Sequence, residues 1–254
     1  MKKRYSFFVK KLMMFSIKNY IMESFKELIM SGRMILGLII GLAPAVAIAA
    51  FILKHPEASF EIKHVSNFYC MLGLLTAVLT ALFLINRDFS TNVIFLINNS
   101  KRNRIAYVVA NFMISIIIAT VYAIIGIAAC LISSEMGVPG ELKTEFLCGF
   151  GINLVLLIPS YFLFCYVLLL LGAKSGLVYT LLTGSLLFLP NIFSNILPSM
   201  ENNLLSKVIE NFPLYFYPIY AGSNPMSATQ YIIGLVCIVL AMIFVVKRSE
   251  RYLT

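Results

Sequence analysis

The sequence predicts an all-α, polytopic membrane protein with six transmembrane helices, and three observations carry that prediction. The 254 residues are 60% hydrophobic and only 12% charged, with a mean hydropathy of +0.92, too apolar for a soluble domain that must keep a polar shell. The apolar residues gather into six runs, five of them close to the roughly 20 residues that span a hydrocarbon core about 30 Å thick. Every Asp, Glu, Lys and Arg falls outside those runs.

Charge sets the topology. With six spans, one face holds Lys2, Lys3, Arg4, Lys10, Lys11, Lys18, Lys26, Arg33, Arg87, Lys101, Arg102, Arg104, Lys174, Lys247, Arg248 and Arg251, and the other holds Lys54, Lys63, Lys143 and Lys207. Sixteen against four is a strong positive-inside bias, which predicts that both termini are cytoplasmic. The net charge of +9 therefore reports topology and anionic lipid, and nucleic acid is not an expected partner.

Residues 1–33 alternate Phe7, Phe8, Leu12, Met13, Ile17, Tyr20, Ile21, Phe25, Leu28 and Ile29 with lysines. That pattern describes an amphipathic elbow helix in the headgroup layer, against the alternative of a solvated basic tail. The first long apolar run begins only after Arg33 and no cleavage pattern precedes it, so a signal peptide is not expected. Span 1 covers residues 34–53. Gly37, Gly41, Ala45 and Ala49 recur every fourth residue and form a narrow face that a second helix can approach closely, with Pro44 as a possible kink.

A short outer loop holds both histidines, His55 and His64, which are expected to be solvated rather than metal-bound, because Glu57 and Glu61 complete no ligand set. Span 2 covers residues 66–85. After it comes the polar island 86–104, the largest inner loop, in which Arg87, Asp88, Lys101, Arg102 and Arg104 surround the apolar patch of Val93, Phe95 and Ile97. The island reads as the docking surface for a soluble partner, with plain interfacial anchoring of the apolar patch as the alternative.

Span 3, residues 105–131, carries Asn111 near its inner end, expected to bond a neighbouring helix. Span 4 covers residues 146–171 and carries Asn153 and Pro159. A tight inner turn, 172–176, lacks the glycines of a phosphate loop. Span 5 runs over residues 177–189 and is expected to become irregular through Pro190, Asn191, Asn195 and Pro198. The segment to residue 228 is expected to dip back into the outer leaflet as a cap, since irregular backbone at membrane depth must be shielded. It contains an amphipathic stretch from Met200 to Phe212 and an aromatic belt of Phe212, Tyr215, Phe216, Tyr217 and Tyr220. Span 6 covers residues 229–246. Five cysteines without a CxxC spacing are expected to be buried thiols, although Cys130 and Cys148 stand where a bridge is conceivable.

No catalytic constellation is present: no HExxH, no GxSxG and no aspartate pair in the spans. The uncharged spans argue against an ion-coupled transporter, which keeps ionisable groups at membrane depth, though sodium held by carbonyls and hydroxyls stays open. What remains is a pathway wall whose energy must enter from a partner.

The chain resembles the permease subunits of ABC-2 type transporters over essentially its whole length. The resemblance rests on the basic elbow before span 1, six spans with both ends inside, the polar loop after span 2, the re-entrant outer segment and the short basic tail. Asp88, Ser90-Thr91, and Arg102 with Arg104 stand where that family's loop shows an acidic residue, a Gly-Thr or similar pair, and an arginine before span 3. Asn111 stands in place of the usual span 3 lysine. The resemblance implies two ATPase subunits holding ATP and Mg2+, with no cofactor and no enzymatic activity in this chain. It also implies a second permease, identical or homologous, and a cargo path lined by span 5 and the cap, with Asn191, Asn195, Phe212, Tyr215 and Tyr217 as pathway residues. The small, basic form is similar to exporters of amphipathic phenol-soluble modulin peptides, so export of peptide toxins or antimicrobial peptides is the expected function. A membrane immunity or sensor protein that binds such peptides without moving them is the competing expectation.

Overall fold

The computed structural model describes residues 15–97, 99–199, 204–222 and 226–249. The expected elbow residues before 15, Met200 of the cap stretch and the tail after 249 lie outside them. Among the described residues every regular element is helical. They are α1 (Ile17–Met30), α2 (Arg33–Lys54), α3 (Ile62–Ser90), α4 (Val93–Ile97), α5 (Lys101–Glu135), α6 (Thr144–Leu170), α7 (Ser175–Thr183), α8 (Leu189–Ile196), α9 (Leu204–Glu210), α10 (Pro213–Tyr220) and α11 (Ala228–Arg248). Six helical stretches are long and apolar enough to cross a membrane: α2, α3, α5, α6, the continuous run from α7 through α8, and α11.

The bundle is built around α3 and α6, which bury 67% and 61% of their apolar windows, whereas α2, α7–α8 and α11 bury 22–28% and turn most of their surface outward. This ordering follows from side-chain size. The α2 face of Gly37, Gly41, Ala45 and Ala49 is buried against the chain's own α3. A Cβ on Gly41 would lie 2.9 Å from the Gly73 Cα, and one on Gly37 would overlap the Tyr122 hydroxyl. The opposite side of α2 exposes Ile35, Leu36, Ile39, Ile40 and Val46, a lipid-facing pattern.

Several boundaries differ from the sequence expectation, each for a local reason. The second span starts at Ile62 rather than Ser66, because Glu61 and His64 form a reciprocal cap in which the Glu61 N–H donates to the His64 Nδ1 at 3.0 Å. His64 is therefore a helix-capping residue rather than a loop histidine. The fifth span does not become irregular at Pro190. A wide π-helical turn, Gly184–Phe188, absorbs the register change ahead of the proline, which has no N–H to donate and whose ring would clash with the preceding turn. The helix then runs on to Ile196. A 3₁₀ turn, Leu197–Ser199, follows it.

The cap is anchored at several points. Asn153 of α6 donates to the Tyr220 carbonyl at 3.0 Å and accepts from the Tyr231 hydroxyl of α11 at 2.7 Å. Tyr161 donates to the Leu214 carbonyl at 3.2 Å, and Ser66 of α3 donates to the Gly222 carbonyl. All five cysteines are free thiols. Cys70, Cys130 and Cys165 are buried as expected, whereas Cys148 and Cys237 are exposed on the bundle surface.

Candidate functional site: a polar node on the basic face

The helix of span 2 continues beyond its apolar run, which ends at Ile85, to Ser90. Those extra turns put three consecutive polar residues, Asn86, Arg87 and Asp88, at the junction of three other elements. Asp88 is 1% exposed. It lies on the same helical stripe as the buried Ala77, Ala81, Leu84 and Ile85, because residues three, four, seven and eleven apart share a helix face.

A carboxylate in such a place must be paired and hydrogen-bonded, and Asp88 is both. Its Oδ2 accepts from the Tyr20 hydroxyl of α1 at 2.5 Å and from the Tyr107 hydroxyl of α5 at 2.9 Å. Its Oδ1 takes the Arg87 Nε at 2.8 Å and Nη2 at 2.7 Å. Arg87 also pairs through Nη1 with Glu27 of α1. Burial, and after it the Asp88 carboxylate, pushes the Tyr20 phenol well above its usual range, so at neutral pH it remains a protonated donor.

The rings of Phe15, Tyr20 and Tyr107 close around this pair, with centroids 5.1, 5.9 and 5.5 Å apart. The Asn111 Oδ1 stands 3.3 Å from the Tyr20 hydroxyl, so Asn111 faces the elbow helix, while its amide donates to the Tyr107 carbonyl one turn back. Asn86 points the other way. Its amide donates to the Tyr179 hydroxyl of α7, and its Oδ1 accepts from Ser175 at 3.0 Å. The end of α3 is thus tied to the elbow by Arg87 and Asp88 and to the fifth span by Asn86.

Directly beyond the node sits α4. Asn92 takes a left-handed conformation, φ 59°, which asparagine tolerates better than most residues, and this reverses the chain. Ser100 caps the start of α5 by accepting from the Asn103 N–H at 3.2 Å. Between these two points α4 inserts Ile94 into the bundle and leaves Val93, Phe95 and Leu96 exposed, Leu96 at 75%. Lys101 and Arg102 are exposed beside it, and Arg104 is half-buried.

The structure therefore divides the residues of the polar island. Val93, Phe95, Lys101 and Arg102 lie on the surface and Ile97 is half-buried, whereas Arg87 and Asp88 belong to the internal node. The sequence reading placed all of them on one docking surface, but the helical continuation past Ile85 turns Asp88 inward. The sequence matches no protein-family model and no curated protein sequence.

The residues expected to line a pathway also separate. Phe212 and Tyr217 share the wall of an apolar pocket of about 300 Å³ beneath the cap, with Leu163, Phe164 and Ile238. Tyr215 packs on Phe193 of α8 with ring centroids 5.5 Å apart. Asn191 and Asn195 are exposed on α8, away from that pocket's lining. Among the described residues no group of three His, Cys, Asp or Glu side chains is placed to hold a metal. Tyr20, Glu27, Asn86, Tyr107, Ser175 and Tyr179 were not singled out as functional from the sequence. The signal for the node was the 77–81–84–88 spacing, which continues the apolar stripe of span 2 onto a carboxylate.

Proposed function

We propose that this chain is the transmembrane permease subunit of an ATP-driven exporter of the ABC-2 type. The observation that carries the reading is the juxtaposition of α4 and the node. A short helix with exposed Phe95 and Leu96 and a basic rim stands immediately beyond three residues that tie the end of α3 to the elbow and the fifth span. Exposed apolar patches rimmed by polar residues mark protein interaction sites. The partner is a pair of ATPase subunits that hold ATP and Mg2+, their closure pushing α4 towards the membrane.

Motion of α4 is passed to the end of α3. From there Arg87 and Asp88 pull on α1 through Glu27 and Tyr20, while Asn86 pulls on α7 through Tyr179. A second permease copy or homologue completes the pathway. The uncharged spans and the apolar pocket under the cap suit an amphipathic or hydrophobic cargo, with peptide toxins or antimicrobial peptides as the class. The basic face is the cytoplasmic side of a bacterial plasma membrane, and both termini lie there.

The test is purification of the tagged protein from its own cells in mild detergent. Wild type is expected to carry a stoichiometric ATPase, which is lost when Phe95→Asp and Leu96→Asp are combined. A stable, monodisperse protein with no ATPase in either preparation would favour a membrane protein that binds its peptide without moving it.

A further inference from the structure

The charged groups of the basic face are not all absorbed by the node or by α4. At the opposite edge of that face, the ends of α6 and α11 enclose a cleft of about 360 Å³ lined by Leu171, Phe244, Lys247 and Arg248. Phe244, Lys247 and Arg248 are spaced i, i+3 and i+4, so they occupy one face of the last turn of α11. Leu171 and Phe244 are exposed, forming an apolar wall next to the two cations.

Arg248 is held in place: its Nε stands 3.5 Å from the Leu170 carbonyl oxygen at the end of α6. No described carboxylate forms an ion pair with Lys247 or Arg248. The sequence of α11 contains no acidic residue, nor does the turn 171–176, and the only carboxylate of α6 is Glu145 at its far end. The next carboxylate in the chain, Glu250, lies outside the described residues. Two cations that pair with no described carboxylate, beside an apolar wall at the ends of two apolar helices, match a ligand with an anionic head and an alkyl chain. Basic clefts between helix ends at the membrane surface recognise such head groups, and a guanidinium matches phosphate geometry.

We propose that this cleft is a binding site for an anionic phospholipid, its phosphate held by Lys247 and Arg248 and its first chain methylenes lying along Leu171 and Phe244. The site does not depend on the transport reading and stands whether or not the chain moves a cargo.

The experiment titrates the purified full-length protein in neutral detergent with phosphatidylglycerol, followed by native mass spectrometry. Parallel titrations use phosphatidylcholine of the same chains and inorganic phosphate. Wild type is expected to bind phosphatidylglycerol in preference to phosphatidylcholine. Lys247→Gln combined with Arg248→Gln should weaken that binding about thirtyfold, each basic residue near a membrane surface counting for roughly one kilocalorie. Lys101→Gln combined with Arg102→Gln removes the same charge from the same face and should change it less than about threefold. Lys247→Gln alone alters a side chain with no partner among the described residues, and should still cost about fivefold if the double variant fails to fold.

Equal losses in the two double variants would mean a diffuse surface charge and would overturn the site. So would an absence of preference between the two lipids. Displacement of phosphatidylglycerol by equimolar inorganic phosphate would make the ligand a free anion and overturn the lipid assignment.

Discussion

Replacing Tyr20 by phenylalanine removes one hydroxyl from the polar node and almost nothing else. The lost bond is the 2.5 Å donation to Asp88 Oδ2, the direct tie from α1 to that buried carboxylate. A hydrogen bond to a charged group contributes about 1.5–3 kcal/mol. Asp88 keeps Tyr107 and Arg87, so the carboxylate stays hydrogen-bonded and the cost falls on the attachment of α1. At about 1.4 kcal/mol per tenfold, local opening of the elbow should become roughly tenfold to 150-fold more frequent. Hydrogen exchange of residues 17–30 in detergent or nanodiscs reads that directly, as faster exchange confined to α1. Glu27→Gln serves as the scale, since its partner pair is partly exposed and pairs of that kind contribute about 0.2–1 kcal/mol, so it should accelerate exchange less than about fivefold. Exchange of α1 within twofold of wild type in Tyr20→Phe, or acceleration spread evenly over all helices, would refute the node as the elbow's attachment.

Further outcomes follow from other parts of the molecule. Gly41→Ala places a methyl 2.9 Å from the Gly73 Cα, backbone against side chain with no rotamer to relieve it, and should destabilise the α2–α3 pair by about 1–3 kcal/mol, read as a lower melting temperature in detergent. Asn153→Ala takes a partner from the Tyr220 carbonyl and from the Tyr231 hydroxyl and costs about 1–3 kcal/mol; exchange of residues 213–220 should rise at least about fivefold, while α1 is unaffected. The raised Tyr20 phenol sets the sign of a pH effect. The folded form holds its proton to higher pH than the unfolded form, whose value is 10.0, so its contribution is complete below pH 10 and is lost as pH rises beyond it. A spin label at Met22 should therefore report a constant environment from pH 6 to 9 and loosening above 10, with the tyrosine-dependent part absent in Tyr20→Phe.

The six spans were legible because a bilayer imposes its own length scale on apolar runs, and the basic residues fall on one side of them. The Gly37, Gly41, Ala45 and Ala49 face was legible for a similar reason: only small residues at helical spacing allow backbones to meet. The identity of its partner was not, because nothing in that stripe distinguishes α3 of the same chain from a neighbouring molecule. Asp88 shows the limit most clearly. Beside Arg87 and ahead of a polar loop it reads as a surface charge, and its direction depends on how far the helix persists past Ile85. The tyrosines that satisfy it come from residues 20 and 107, and hydropathy treats both as part of apolar faces. The end of span 5 was hidden in the same way, since Pro190 signals a break unless the preceding turn widens, and that widening depends on packing.

Under the proposed function, α4 is the contact through which a nucleotide-driven partner moves the bundle. The most direct measurement is the affinity of the purified protein for the ATPase recovered with it, compared with Phe95→Asp combined with Leu96→Asp. The double variant should lose at least about thirtyfold, since interface hot spots contribute 2 kcal/mol or more, with melting temperature and exchange of the node unchanged because both side chains are exposed. Undiminished affinity in a folded variant would contradict it.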